Sequence, residues 1–293
     1  MTMLLRSALY VPASNSRALQ KAPTLDCDSV ILDLEDAVAP SAKVSAREAA
    51  LEFAGSGALG ERMLVIRANA LDTPWGRDDI PAIAYSGAHG VLVPKINSAS
   101  DVEEVDKLLE GAPPEFAMWA MIETCAAIMA LAEIAAAARS SRLSGFVSGT
   151  NDLLKEMRAA PMPGRPNLIA MLALTVAAGR ASGLTVLDGV YNDFGDHAGF
   201  AAECRQGRDF GFDGKTLIHP GQITAANECY GPSTEQLADA RNIVAAFARS
   251  ENAEAGVIEV DGKMVERLHL SIAEETIARA ERIHERERQT SGS

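Results

Sequence analysis

The stretch S-V-I-L-D-L-E-D, Ser29 to Asp36, is an apolar run that ends abruptly in three acids. A short apolar run bounded by Gly, Pro, Asp or Asn is typical of a buried parallel strand. Eight such runs follow one another along the chain, separated by Ala- and Glu-rich stretches of helical character. The predicted strands are Ser7–Pro12, Ser29–Glu35, Met63–Asn69, Gly90–Ile96, Ala117–Thr124, Leu143–Gly149, Thr185–Tyr191 and Lys215–Pro220.

The stretches between the strands predict helices, several of which open near Ser or Asp and close at Gly, as helix caps prefer. They are Arg17–Lys21, Ala42–Phe53, Trp75–Ala84, Ala99–Leu109, Ala126–Ala138, Asn167–Ala181 and Phe200–Phe210. Eight strands alternating with helices over roughly 220 residues predict an α/β fold, the (β/α)₈ TIM barrel, for residues 1–225. A doubly wound open sheet is the alternative, but no G-x-G-x-x-G follows any predicted strand.

Residues 226–293 are predicted to be an extension beyond the barrel. They contain a helix, an irregular patch at 250–262 and a charged helix from Leu268 to Arg286. The segment A-G-V-I-E-V-D-G-K-M-V-E predicts a small hairpin, because an Asp261-Gly262 turn separates two short apolar runs. We expect this flap to cover its own barrel or that of a neighbouring copy.

The composition, 47% hydrophobic and 23% charged over 293 residues, is that of an ordinary globular protein. The formal net charge of −13 argues against nucleic acid or an anionic membrane as the main partner. Glu123 and Glu133 interrupt the longest apolar stretch, 116–138, which therefore does not predict a membrane span. Four scattered cysteines without a C-x-x-C pair, and the lack of a signal-peptide core, predict a cytoplasmic protein.

Polar side chains end nearly every predicted strand, and in a parallel barrel the active site lies at those carboxyl ends. They are Asp33, Glu35, Asp36, Arg67, Asn69, Lys95, Glu123, Asp152, Asp188, Tyr191, Asp193 and His219. Converging carboxylates cannot all ionise without a cation, and oxygen ligands with no Cys/His cluster favour Mg²⁺ over zinc. The alternative is that these acids cap helices or carry solvated loop charges.

Glu123 is the acid for which that alternative is weakest. It follows the apolar run Ala117–Ile122, where an unpaired carboxylate would be costly. Asp152 has a rival role as the cap of a short helix, Leu153–Met157. The metal interpretation and the capping interpretation both remain open for the pair.

Arg67 ends a buried strand and must face a carboxylate or an anionic ligand, since a guanidinium stays charged. A structural pair with one of the three acids that end the second strand and a contact to substrate are both open. Lys95 has the same ambiguity. His219 precedes Pro220, and a histidine at a strand end is more often a structural donor than a base.

Eight motifs occur in order along nearly the whole chain. They are R-S-x-L-Y-V-P at 6–12, L-D-L-E-D-A-V at 32–38, I-R-A-N at 66–69, V-P-K at 93–95, M-I-E-T at 121–124, G-T-N-D-L at 149–153, G-F-D-G-K-T-L-I-H-P at 211–220 and D-G-K-M-V at 261–265. Together they resemble the citrate lyase beta-subunit-like proteins, which group with malyl-CoA lyases in the HpcH/HpaI aldolase superfamily of magnesium-dependent barrels.

The resemblance implies that Glu123 and Asp152 ligate Mg²⁺. It further implies that Glu35 and Asp36 bind the water molecules that coordinate the ion. Asp33 is expected beside them, in the layer of residues around the metal ligands. The metal binds the substrate hydroxyl and carboxylate and acts as Lewis acid and template in such enzymes.

The resemblance also implies roles for Arg67, Asp36 and Glu266 in catalysis, with Arg67 on the thioester or keto-acid oxygen. Coenzyme A, as part of an acyl-CoA substrate, lies across the barrel mouth in such proteins. Its implied contacts here are Arg17, Lys21, Lys215, His219 and Pro220. Relatives are usually trimers or hexamers in which the C-terminal flap of one subunit closes over the next subunit's site.

One departure concerns Glu266, which follows D-G-K-M-V where lyases of this group place an Asp as acid/base. A misplacement of about an ångström can lower a rate around a hundredfold. Relatives with a Glu resemble malyl-CoA thioesterases, although the residue is otherwise a surface acid beginning the final helix. The first hypothesis is a carbon–carbon lyase acting on malyl-, citramalyl- or citryl-CoA. The second is a thioesterase with the same substrates, and the third is a non-catalytic CoA-binding subunit.

Overall fold

Eight parallel strands form a closed barrel in the computed structural model, which describes residues 4–252 and 254–291. The strands are β1 (Ser7–Pro12), β2 (Ser29–Asp33), β3 (Met63–Arg67), β4 (Gly90–Val93), β5 (Ala117–Ile122), β6 (Leu143–Ser148), β7 (Thr185–Asp188) and β8 (Gly214–Leu217). They pair in sequence order, and β8 returns to β1 with Ser7 opposite Lys215 and Leu9 opposite Leu217. The predicted TIM barrel is therefore confirmed.

The barrel interior is filled by every second residue of the strands, because side chains alternate between the two faces of a strand. Ile31, Val65, Leu92 and other inward residues form one buried cluster. Trp119 fits into this cluster opposite Gly145, where a Cβ would come within 2.6 Å of the indole ring. The intervening strand residues face the helices and are buried as well, which explains why the strands appear as continuous apolar runs.

Ten helices follow the strands in this part of the chain. They are α1 (Ser16–Lys21), α2 (Lys43–Gly55), α3 (Gly76–Ala84), α4 (Ala99–Leu108), α5 (Cys125–Met129), α6 (Leu131–Ala136), α7 (Thr150–Glu156), α8 (Ile169–Ala181), α9 (His197–Phe210) and α10 (Ile223–Tyr230). The predicted helix 126–138 is divided at Ala130, with a short 3₁₀ turn at Ala137–Arg139. Helix α9 begins earlier than predicted, because the Asp196 side chain caps it by accepting from the Gly199 N–H.

The chain divides into two compact units, one at Leu5–Asn227 and one that contains Glu228 onwards. The second unit holds α11 (Thr234–Phe247), β9 (Val257–Val260), β10 (Lys263–Glu266) and α12 (Arg267–Ser291). Strands β9 and β10 form the predicted hairpin, and both Asp261 and Gly262 have positive φ, as a two-residue hairpin turn of type I′ requires. Phe247, Ile258 and Val265 are the centre of its apolar core.

Candidate active site

The carboxyl ends of the barrel strands surround a cavity of about 350 Å³. Its lining is drawn from the strand ends and the loops that follow them, and includes Tyr10, Asp33, Asp36, Arg67, Met121, Asp152, Asn192 and Ile218. This is the end of the barrel at which the sequence placed the site. Tyr10 was not among the predicted residues, although it lies two residues beyond the inward-facing Ala8 and so shares its face.

Arg67 is held on the carboxylates at the end of β2. The parallel register sets Asp33 beside Arg67, whose Nε and Nη2 each donate to one Asp33 oxygen at 2.7 Å. The Arg67 Nη1 lies 2.8 Å from Glu35 Oε2 and 3.3 Å from Asp36 Oδ2, and the guanidinium stacks on the Tyr10 ring at 4.9 Å. The structural pair is therefore present, and Arg67 lines the cavity as well.

The three acids around Arg67 have different environments. Burial raises the pKa of Asp33, but Arg67 and the N–H groups of Glu35 and Ala37 outweigh it and hold that pKa below its usual range. Burial also raises the pKa of Glu35. Arg67 opposes the rise, but burial and the neighbouring carboxylates together outweigh it and bring the pKa to about 8. The Asp36 carboxylate is 69% exposed on the wall of the cavity.

Glu123 and Asp152, the two predicted metal ligands, meet at one cation. Lys95 Nζ lies 2.6 Å from Asp152 Oδ1 and 3.2 Å from Glu123 Oε1, and the Lys95 N–H also donates to Glu123 Oε1 at 2.9 Å. Burial raises the pKa of Glu123, and Lys95 opposes the rise. The capping interpretation fails, because no side chain caps the start of α7 and Asp152 accepts from Lys95 instead.

Gly149 makes room for the Glu123 carboxylate. A Cβ on this residue would lie 2.3 Å from Glu123 Cβ and 2.6 Å from Glu123 Oε2. Glu123 Oε2 is buried and has no hydrogen-bond partner among the described residues. A buried carboxylate oxygen without a partner is costly unless a further group binds there.

These groups fit a divalent cation. Across residues 4–252 and 254–291, no three His, Cys, Asp or Glu side chains gather into a metal-binding group. Mg²⁺ does not need three, since one or two carboxylates often bind it while waters and substrate oxygens fill the other positions. Two carboxylates with one unpartnered buried oxygen, and no cysteine or histidine of the described residues gathered with them, match that ligand preference.

The structure contradicts the predicted contact between Lys215 and coenzyme A. Lys215 is fully buried, and its Nζ lies 2.9 Å from Asp188 Oδ2 and 2.8 Å from Glu203 Oε1 on α9. Strand alternation explains the error, because Thr216 and Ile218 line the cavity and Lys215 therefore faces the helices. Asp188 belongs to the same buried cluster, where the unpredicted Arg165 binds it at 2.7 Å.

The other residues predicted to contact coenzyme A lie on helices or turns that follow strands. Arg17 and Lys21 are exposed on α1, which Asn15 caps. The His219 Nδ1 accepts from the Gly221 N–H, so this nitrogen is a structural acceptor and not the expected donor. The His219 ring stacks on the exposed Phe194 at 4.9 Å. Pro220 begins a 3₁₀ turn. Their contact with coenzyme A stays a prediction.

Glu266 lies in the second unit, at the end of the hairpin. It is half-buried, and its N–H donates to His269 Nδ1 at 2.9 Å as α12 begins. The role of its carboxylate in catalysis stays a prediction.

In the described part of the chain, no helix combines the length and the apolar character that a membrane crossing requires.

The chain is similar to family models, to individual proteins and to solved structures. Residues 6–220 match the family model described as HpcH/HpaI aldolase/citrate lyase, and residues 165–283 match a C–C bond lyase of the TIM-barrel fold. A (3S)-malyl-CoA thioesterase of Cereibacter sphaeroides is 48% identical over 95% of both chains. The citrate lyase subunit beta of Leuconostoc mesenteroides subsp. cremoris is 33% identical over 90% of this chain and 89% of its own.

Among solved structures, the protein CitE from Mycobacterium tuberculosis in complex with magnesium, acetoacetate and coenzyme A is similar, with a TM-score of 0.76. It is 32% identical and covers 94% of this chain and 97% of its own.

Proposed function

The chain belongs to the HpcH/HpaI aldolase/citrate lyase family, and within it we propose that this protein is a magnesium-dependent thioesterase acting on (3S)-malyl-CoA. The observation that carries the proposal is the 48% identity, over 95% of both chains, to a protein of that name. This similarity supports hydrolysis over carbon–carbon cleavage, which the sequence alone ranked first. Lyases of the citrate lyase beta-subunit-like group, which the sequence resembles, carry an Asp at the position of Glu266. The Glu at this position therefore also favours hydrolysis over carbon–carbon cleavage.

Glu123 and Asp152 would hold the magnesium ion, which supplies a Lewis acid that polarises an oxygen of the substrate. Their arrangement supports this assignment, because Glu123 Oε2 is buried without a partner and Asp152 lines the cavity. Glu35 and Asp36 are proposed to hold water beside them. Asp36 is suited to that task since its carboxylate is exposed on the cavity wall.

Arg67 is proposed to bind the carbonyl or carboxylate oxygen of the substrate. Asp33 accepts from Nε and Nη2 of the guanidinium, which fixes its plane. Nη1 contacts Glu35, Asp36 and the cavity residue Met121. A donor fixed before the substrate binds stabilises developing negative charge without reorganising during the reaction. Arg67 therefore acts as a preorganised donor in this proposal.

Glu266 is proposed to take the proton of the attacking water. In the hydrolysis, the water oxygen bonds to the thioester carbon and the carbon–sulfur bond breaks. The sulfur leaves as the thiol of coenzyme A by receiving the proton that Glu266 took from the water, and malate is the second product. Arg17, Lys21, His219 and Pro220 are the proposed contacts of the coenzyme A portion.

The second candidate is a carbon–carbon lyase, which the family model and the similarity to citrate lyase subunit beta support. The same Arg67 donor would then stabilise the enolate of the departing acyl-CoA. The products distinguish the two reactions, since hydrolysis yields malate and free coenzyme A whereas cleavage yields acetyl-CoA and glyoxylate.

Mass-spectrometric product analysis with (3S)-malyl-CoA tests the proposal. We expect malate and free coenzyme A with Mg²⁺, and neither product with EDTA. Acetyl-CoA and glyoxylate, with no malate, would reject the thioesterase in favour of the lyase. Glu266→Asp is the matched variant, because it keeps the charge and shortens the side chain by one methylene; we expect it to slow hydrolysis about a hundredfold.

An assembly of several copies, a trimer or hexamer in which the hairpin of one subunit serves the site of another, is part of the proposal. Mixing inactive Glu123→Gln subunits with inactive Glu266→Ala subunits tests it. Activity should return in part on mixing, since some sites then combine an intact Glu123 with an intact Glu266. If no activity returns although the subunits exchange, the hairpin does not act between subunits.

A further inference from the structure

Lys95 has an unusual backbone conformation beside the two proposed metal ligands. It lies two residues beyond β4, directly after Pro94, and has a φ of 56°, a left-handed conformation that residues other than glycine rarely adopt. Such a conformation persists where the surrounding contacts enforce it. Here the turned backbone brings the Lys95 N–H to Glu123 Oε1 and returns the side chain to both carboxylates.

The ammonium group occupies the space between the carboxylates. Its Nζ lies 2.6 Å from Asp152 Oδ1 and 3.2 Å from Glu123 Oε1, so a second cation cannot use these two oxygens together while Nζ stays in place. Lys95 also supplies one positive charge between two negative ones, which reduces their mutual repulsion. Its side chain is 34% exposed and Asp152 is 31% exposed, so the ammonium has a path to solvent.

Arg67 provides the contrast within the same site. Its side chain is only 8% exposed and Asp33 binds it through two hydrogen bonds, so it cannot leave without abandoning a buried partner. Among the described residues, the site therefore contains a buried cation held by two hydrogen bonds and a partly exposed one. The partly exposed cation is the one that contacts the proposed metal ligands.

We propose that Lys95 is an internal counter-cation for Glu123 and Asp152, and that Mg²⁺ binds by displacing its ammonium group from these carboxylates. The inference rests on the proposed function, because that proposal takes the two acids as metal ligands. Lys95 is thus a positioning residue. It holds the carboxylates in place before the metal arrives and competes with the metal for them.

Titration calorimetry of Mg²⁺ into the full chain, without substrate, tests the inference. Lys95→Met removes the charge and keeps the length of the side chain, and Lys155→Met is the matched control, because Lys155 is exposed on α7. We expect Lys95→Met to bind Mg²⁺ about tenfold more tightly than wild type, as one charge no longer competes. We also expect a lower Tm for the metal-free variant and a larger rise in Tm on adding Mg²⁺, with no such change in Lys155→Met.

Unchanged or weaker Mg²⁺ binding by a folded Lys95→Met protein would overturn the inference, because the lysine would then not compete with the metal. Lys95→Gln repeats the measurement with a polar side chain if the methionine variant does not fold. Glu123→Gln separates the two proposals. If it binds Mg²⁺ as wild type does, the ligand assignment of the proposed function fails; if it loses Mg²⁺ while Lys95→Met gains no affinity, only the present inference fails.

Discussion

Gly149→Ala is expected to disable the site without removing any functional group. The added Cβ would lie 2.3 Å from Glu123 Cβ and 2.6 Å from Glu123 Oε2, whereas ordinary contacts of this kind begin at 3.4 Å. Glu123 is 1% exposed, and its Cβ is fixed to the backbone and cannot rotate away, so its carboxylate must move by about 1 Å. The backbone of Gly149 is not the obstacle, since its φ of −98° suits alanine.

A shift of about 1 Å in a group that holds the reacting centre can lower a rate about a hundredfold. The overpacking itself is expected to lower the free energy of unfolding by about 1–3 kcal/mol. We therefore expect Gly149→Ala to lose about 100-fold in kcat with saturating substrate and Mg²⁺ and to bind Mg²⁺ more weakly in calorimetry. Gly256→Ala is the control, because a Cβ there meets nothing within 4 Å.

The result that would refute this reasoning is a folded Gly149→Ala protein with wild-type kcat and Mg²⁺ affinity. Glu123 would then either tolerate the displacement or have no part in the reaction. Glu123→Gln distinguishes these cases, since it keeps the side-chain volume and removes the charge.

Three further predictions concern the charged residues of the barrel. Lys215→Met should lower the free energy of unfolding by about 3–5 kcal/mol, because the buried charge of Asp188 is then less well paired. The same variant should leave KM unchanged. A raised KM at unchanged Tm would instead show that Lys215 contacts the substrate. The pKa of Glu35, raised from 4.5 to about 8, means that the folded protein keeps a proton that the unfolded chain has released between these pH values. Stability of the metal-free protein should therefore fall as pH rises from 5 to 8, and thermal melts of Glu35→Gln should show a smaller fall; an equal fall in both would contradict the shifted pKa. Arg67→Lys keeps the charge but loses the two-pronged hydrogen bond to Asp33, so kcat/KM should drop about 100-fold, and a drop of less than about threefold would argue against a fixed donor.

The barrel was predictable because its signal is repeated. Both faces of each strand are buried, so every strand appears as a short apolar run, and the polar residue that ends the run marks the carboxyl edge. The placement of Asp33, Arg67 and Asp152 around one cavity follows from that rule. The hairpin was predictable for a different reason, since Asp261 and Gly262 are suited to the positive φ values of its turn.

The partners of individual side chains were not predictable, because they depend on register and on packing between distant elements. Three acids lie at or just after the end of β2, and only the pairing of Asp33 with Arg67 across the strands decides which one accepts two hydrogen bonds from the guanidinium. Lys215 was misplaced because its inward or outward direction depends on where β8 begins. The division at Ala130 has no visible signal in an alanine-rich stretch, which contains neither Gly nor Pro and in which most residues favour helix.

The barrel closes along a seam, the pairing of β8 with β1, and this has a consequence for synthesis of the protein on the ribosome. Strand β1 is completed almost at once, but its partner β8 lies roughly 200 residues later, and Ser7 also bonds to Asn227. At ordinary translation speeds of about 5–20 residues per second, the edge of β1 waits roughly 10–40 s for the strand that covers it. A nascent chain truncated before Leu217 therefore carries an open strand edge, so folding intermediates of this protein should bind chaperones until the seam closes.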